Sequence, residues 1–289
     1  MKKIFLCILL FIIPAFALAV PQMRSVKLHG ITNVDLLCNL KQKAQQGDTE
    51  NAAYLGMKYV GGTIGILPNY KLGLYWLKKA AQQKEPLACY VLARFYLEGI
   101  PGLSVDKQKA QKYAKIAFDA FQKNLAANKY DKVMKPVIQY NLGDFYFWGF
   151  PGVVEQDLAK AFTLTKLAAN GGDEHAMRRL AIMYRYGVGT KRDLVKAHKW
   201  ALLLAKLGLV EAQYVAGLDF INGVGTAENR DKGLHWLSEA ASNNYYPAMI
   251  ELVRLSQEGK ITSISDVRRM RIMNIIGHMM KHGAPFVAK

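Results

Sequence analysis

The chain has 289 residues, of which 51% are hydrophobic and 21% charged, with 39 Lys and Arg against 22 Asp and Glu and three cysteines. This balance supports a buried core and excludes a disordered chain, and three cysteines exclude a disulfide-built scaffold. The formal charge of +17 points to an acidic partner or surface, and the confinement of long apolar sequence to the extreme N-terminus excludes a polytopic membrane protein.

Lys2 and Lys3 precede an apolar run over 4–19 that only Pro14 interrupts, and Ala17 and Ala19 supply small residues ahead of Val20. This order predicts a secretory signal peptide over 1–19, cleaved before Val20, and hence a periplasmic or secreted chain. The alternative is an uncleaved N-terminal anchor. In an oxidising compartment Cys38 and Cys89 could pair or remain two small side chains, and their spacing leaves both readings open. Within 20–47, Val34, Leu36, Leu37, Leu40 and Ala44, followed by Gly47, predict a capping helix.

From residue 48 the chain repeats itself. Ala176, Gly187 and Trp200 recur 36 residues later as Ala212, Gly223 and Trp236, and the first two recur again as Ala248 and Gly259. Upstream, Leu55-Gly56, Leu92-Ala93 and Leu142-Gly143 open equivalent units. A second half follows in each, starting at Asn69, Asp106, Asp157, Asp193 or Asn229. Four residues on stands a small residue (Gly73, Ala110, Ala161, Ala197, Gly233), then a bulky one (Trp76, Tyr113, Leu164, Trp200, Trp236) and a closing pair such as Ala80-Ala81 or Ala240-Ala241. Asp or Asn ahead of a helix is a natural N-cap. Spacings of four, three and four place small and bulky residues on one helical face. Each unit is therefore expected to be a helix hairpin that buries its face only by stacking on its neighbours.

The segment Ala176 to Gly208, reading A-x3-L-A-x2-Y-x2-G-V-G-T-K-R-D-x3-A-x2-W-x4-A, resembles the Sel1-like repeat, a tetratricopeptide-related helix pair. The resemblance implies an all-α, right-handed superhelical solenoid of stacked hairpins, with an array over 48–259 of about five full units and a partial sixth. Residues 123–136 read as a lysine-rich insertion. Over 260–289, the segment 265–282 reads as a basic amphipathic helix that caps the array, with a membrane-surface helix as the alternative reading.

Catalytic signatures are lacking. His278 and His282 stand at i, i+4 without the zinc-protease glutamate. Gly187-Val188-Gly189 and Gly223-Val224-Gly225 mimic phosphate loops but fall at inter-helix turns. Cys89 has no activating histidine in its repeat. No enzyme, cofactor or metal site is expected, and no nucleic-acid partner. Charge is uneven, with eight Lys and Arg against three Asp and Glu over 173–208 but two against five over 209–244. That alternation suits a protein partner or an anionic envelope surface.

In solenoids of this kind the first helices line the concave groove. With Ala176, Leu180, Ala181 and Tyr184 facing the core, the rotated stripe faces the groove. The expected partner-binding residues are Tyr90, Arg94, Tyr140, Phe147, Trp148, Arg178, Arg185, Tyr186 and Tyr214, the Tyr/Trp/Arg composition of binding hot spots. The functional expectation is a non-enzymatic scaffold, exported, that binds a peptide or protein in this groove. Resemblance to exported bacterial proteins implies roles in envelope assembly, signalling or host interaction and virulence. The alternative is an envelope enzyme or enzyme partner acting on an anionic cell-wall polymer.

Overall fold

The computed structural model describes residues 33–62, 67–259 and 277. The expected signal peptide and all but Gly277 of the expected C-terminal basic helix, with His278 and His282, lie outside the described residues. Among the described residues there are twelve helices, and the only β structure is two isolated bridges, Ile100 with Leu103 and Phe150 with Val154. The all-α class holds.

The chain forms two compact units, the first ending at His175 and the second beginning at Ala176. The first holds α1 (Asn33–Gln45), α2 (Thr49–Gly61), α3 (Tyr70–Gln82), α4 (Pro86–Glu98), α5 (Lys107–Ala126), α6 (Met134–Trp148) and α7 (Leu158–Asn170). Helix α8 (Glu174–Tyr186) starts two residues before the boundary. The second unit continues with α9 (Leu194–Lys206), α10 (Val210–Asn222), α11 (Arg230–Ser242) and α12 (Tyr246–Gln257). The expected insertion is in part a longer helix: α5 has 20 residues where α3, α7, α9 and α11 have 13.

The hairpins close by one recurring device. Asn69, Asp106, Asp157, Asp193 and Asn229 each accept a hydrogen bond from the backbone N–H three residues on, at 2.9–3.0 Å. That bond satisfies an orphan donor of the second helix. The backbone N–H of the same cap residue donates back to the first helix, to the carbonyls of Tyr59, Tyr96, Tyr146, Tyr184 and Phe220, at 2.6–2.8 Å. In four hairpins a lysine joins in. Lys109, Lys160, Lys196 and Lys232 stand over the rings of Tyr96, Tyr146, Tyr184 and Phe220, 5.2–5.7 Å from the centroids. The first three also pair with their cap aspartates. The first hairpin lacks this lysine: Leu72 stands there and is exposed.

Small residues set the approach between helices. A Cβ placed on Gly56 would meet Gly73 O at 2.9 Å, and one on Gly217 would meet Gly233 O at 3.0 Å, so these two pairs bring α2 against α3 and α10 against α11. Phe95, Phe121, Leu55, Met57 and Leu77 are fully buried in the first unit, as are Leu180, Met183 and Leu234 in the second. Trp76 is buried as expected. Trp200 and Trp236 are not core residues but half-buried, and Trp236 packs against the Leu204, Ala205, Ala212 and Ala216 cluster from its edge. Cys38 and Cys89 are free thiols, the first exposed and the second buried.

Candidate functional site

The expected site residues fall on the first helices, and the structure separates them into those that join helices and those that face outward. The position shared by Tyr90, Tyr140, Arg178 and Tyr214 is not uniformly open. Arg178 is exposed, Tyr140 and Tyr214 are half-buried, and Tyr90 is buried. Tyr140 lies 6.0 Å from the His175 ring, and Tyr214 lies 5.6 Å from Tyr245.

In the first unit Asp144 of α6 gathers two residues of α4. Tyr90 Oη donates to its Oδ2 at 2.7 Å, and Arg94 Nη1 donates to the same oxygen at 2.9 Å. Arg94 also pairs with Glu98 at 2.8 Å. The Tyr90 ring packs edge-on against Phe145 at 5.3 Å. Burial and the adjacent Asp144 carboxylate push the Tyr90 phenol well above its ordinary value. This cluster sits where a free groove surface was expected, because an aspartate on α6 reaches back to the preceding first helix.

The second unit holds a similar clamp at a different register. Arg185 Nη2 donates to both oxygens of Asp219, at 2.9 and 2.7 Å, and His198 Nδ1 approaches Oδ2 at 3.1 Å. The His198 ring meets Phe220 edge-on at 4.8 Å. Asp219 is 2% and His198 5% exposed. An acid–base pair sealed to this degree positions helices and gives a substrate no access. Cys89 is equally enclosed, and burial pushes its thiol up to about 12. No group of three His, Cys, Asp or Glu that could hold a metal ion stands together among the described residues.

Trp148 and Tyr186 are the outward-facing aromatics of the expected set. Each directly precedes the glycine that ends its first helix, Gly149 and Gly187, so the two share one repeat position. Their exposures are 38% and 47%. Glu98 and Asn222 occupy the same position on α4 and α10 and are also exposed, so the backbone geometry of the repeat turns this position outward. Phe147, beside Trp148, is buried and meets its ring edge-on at 4.9 Å. Trp148 opens onto a cleft of about 480 Å³ over the loop from Gly149 to Gln156.

Sequence reasoning missed Asp219 and His198. A helical aspartate between core positions gives no local sign of a partner 34 residues earlier. It also missed the lysines over Tyr96, Tyr146, Tyr184 and Phe220, whose signal was present: a lysine three residues after the cap in four units.

The Sel1 repeat family model matches residues 52–85, 86–120, 137–173, 174–209 and 210–245. Chitin synthase regulatory factor 3 of Schizosaccharomyces pombe is 29% identical over 177 residues, covering 58% of this chain and 19% of its own length. The chain therefore spans about a fifth of that relative. The Sel1-repeat-containing protein YjcO of Escherichia coli K12 is 29% identical over 191 residues, covering 63% of this chain and 75% of its own. Among solved structures, c5321, a protective antigen of uropathogenic Escherichia coli with an SLR fold, superposes with a TM-score of 0.54 at 24% identity, covering 88% of this chain and 54% of its own. At that identity the likeness speaks for the fold.

Proposed function

The chain belongs to the Sel1 repeat family, and from that premise we propose that it is a non-enzymatic scaffold that takes a peptide segment or protein partner on its first-helix face. Sel1-repeat proteins are generally protein-interaction scaffolds. The observation that carries the reading for this chain is the shared register of Trp148 and Tyr186. Two large aromatics stand at one outward-facing repeat position, where a core has no use for them and a partner does. Arg178, exposed on α8, adds charge to the same helix as Tyr186.

The name of the Schizosaccharomyces pombe relative describes a regulator of an enzyme, which supports a protein that binds and controls another rather than one that turns over a substrate. The sealed His198–Asp219 pair and the buried Cys89 thiol point the same way. Export is part of the proposal, supported by the Lys2-Lys3 n-region and the apolar run that follows. A mature N-terminus at Val20, read by mass spectrometry of the exported chain, tests that part.

The partner reading is tested by photo-crosslinking in the native cell. A photoreactive residue in place of Trp148 is expected to trap a discrete partner, and so is one in place of Tyr186. One in place of Val195, exposed on the second helix α9, is expected to trap none. Equal trapping at all three positions, or none at any, overturns the assignment.

A further inference from the structure

We propose that the first hairpin carries a second docking site, on its second helix, for an extended acidic peptide segment with an apolar anchor. The site is a cleft of about 540 Å³ between α3 and the Pro101-Gly102 turn of the next hairpin. Leu74, buried, lies at its base, where a Cβ on Gly102 of the turn would meet Leu74 Cδ1 at 3.7 Å. Tyr70 and Tyr75 form its walls and are 36% and 56% exposed. Lys71 and Lys78 stand at its rim, both exposed.

The next hairpin shows why a cleft opens here. Counting from the caps Asn69 and Asp106, Leu74 of α3 corresponds to Gln111 of α5. The turns correspond too, Pro101-Gly102 to Pro151-Gly152. On α5 the Gln111 amide donates to the Gly152 carbonyl at 3.2 Å and fastens the turn to the helix. Leu74 has no donor, and among the described residues no hydrogen bond from α3 fastens the Pro101-Gly102 turn in its place. The wall positions of Tyr70 and Tyr75 are Lys107 and Lys112 on α5. The first hairpin thus exchanges lysines for aromatics and loses the closing bond at one place. Leu72, where the other four hairpins carry a lysine, leaves a further exposed apolar side chain on the same helix.

Charge names the occupant. Between Gly61 and Lys84 the sequence has four lysines and no carboxylate, and the turn from Gly99 to Val105 is uncharged. Lys79 stands over the Trp76 ring at 5.1 Å. Lys71 and Lys78 have no ion pair among the described residues, so a ligand's carboxylates would meet uncompensated cations around an apolar floor. The two lysines are two helical turns apart, about 10 Å at 1.5 Å per residue. Extended chain rises about 3.3 Å per residue, so carboxylates three residues apart reach both lysines while an apolar side chain between them packs against the exposed rings of Tyr70 and Tyr75. Aromatic walls with a charged rim are the composition of a recognition site for such a segment. The first-helix residues Trp148 and Tyr186 take no part in it.

Fluorescence anisotropy on the full chain tests the proposal with a fluorescein-labelled peptide, Gly-Asp-Leu-Trp-Glu-Gly. Its controls are the same peptide with both acids replaced by Lys, and with Leu and Trp replaced by Ser. The acidic apolar peptide is expected to bind saturably and the controls not to. Lys71→Glu with Lys78→Glu is expected to weaken it at least about tenfold and to let the lysine peptide bind, and Tyr75→Ser is expected to weaken it with the charges intact. Trp148→Ala is expected to leave it unchanged, which separates this site from the first-helix face. Circular dichroism confirms that each variant keeps its helices. Absence of saturable binding, equal affinity for the double charge reversal, or binding of the Ser-substituted peptide as a bare anion surface would each overturn the proposal.

Discussion

Arg185 on α8 holds Asp219 on α10 through one nitrogen that donates to both carboxylate oxygens, so a first helix is tied to the next by a charge pair whose acid is 2% exposed. Removing the cation leaves a buried carboxylate without its main partner, a loss of about 3–5 kcal/mol. Arg185→Ala is therefore expected to lower the urea midpoint strongly. Arg185→Met combined with Asp219→Leu is expected to recover most of the loss, because the uncompensated charge goes with the pair. A single variant as stable as the wild type would show that the pair contributes nothing.

Glu85 caps α4 by accepting from the backbone N–H of Leu87 and Ala88. Burial pushes its carboxyl from an ordinary 4.5 up to about 7, against the two backbone hydrogen bonds. Between those values the folded chain keeps a proton that the unfolded chain has released. Its contribution is complete below about pH 4.5 and is lost as pH rises through about 7. Glu85→Gln keeps an acceptor and has no proton to lose. Urea titrations of both proteins at about pH 5 and about pH 8 are expected to show the variant gaining on the wild type at the higher pH. An unchanged difference would place Glu85 in contact with water.

The three repeat tryptophans are expected to differ in weight. Trp76 is 6% exposed, and Trp76→Ala falls in the range of about 3–5 kcal/mol for a buried ring. Trp200 and Trp236 are half-buried, so truncating either removes less contact and is expected to cost roughly half as much or less. Equal losses in parallel thermal melts would contradict the burial difference.

Gly56 and Gly143 share one repeat position and are expected to answer differently to alanine. A Cβ at Gly56 would lie 2.7 Å from Leu77 Cγ and 2.9 Å from the Gly73 carbonyl, whereas at Gly143 the nearest atom is 3.3 Å away. Gly56→Ala forces α2 from α3, an overpacking loss of about 1–3 kcal/mol. At Gly143 the helix-propensity gain of about 0.8–1 kcal/mol offsets a milder contact. Denaturant midpoints of the two variants check the contrast.

The hairpins were legible because their signals are local. A cap, a small residue four positions on and a helix-ending glycine lie within one unit, and all five expected second-half caps cap a helix in the structure. The clamps were not legible. Asp144 and Asp219 give no local sign of their role, since their partners lie 50 and 34 residues away in sequence and nothing beside them announces burial. Trp200 and Trp236 follow the same pattern as Trp76, but the spacing that puts a ring on a face does not say how much of it the neighbouring unit covers. For Trp148 and Tyr186, the shared position before a glycine was visible in sequence, and only the fold shows that it points outward.

The cap-to-tyrosine bond has a consequence for how this architecture changes over time. The turns from Gly99 to Asp106, Gly149 to Asp157, Gly187 to Asp193 and Gly223 to Asn229 span 8, 9, 7 and 7 residues, yet each ends in the same N–H donated to the same first-helix carbonyl at 2.7–2.8 Å. The helices take their register from that bond, so in the turns after Gly187 and Gly223, where no residue is buried, the residues between glycine and cap are released from holding the pair together. A duplication can gain or lose residues there without shifting either helix. The same property recommends the turn over 188–192, where Lys191 and Arg192 are exposed, as the point at which a foreign epitope could be spliced into the chain with the hairpin intact.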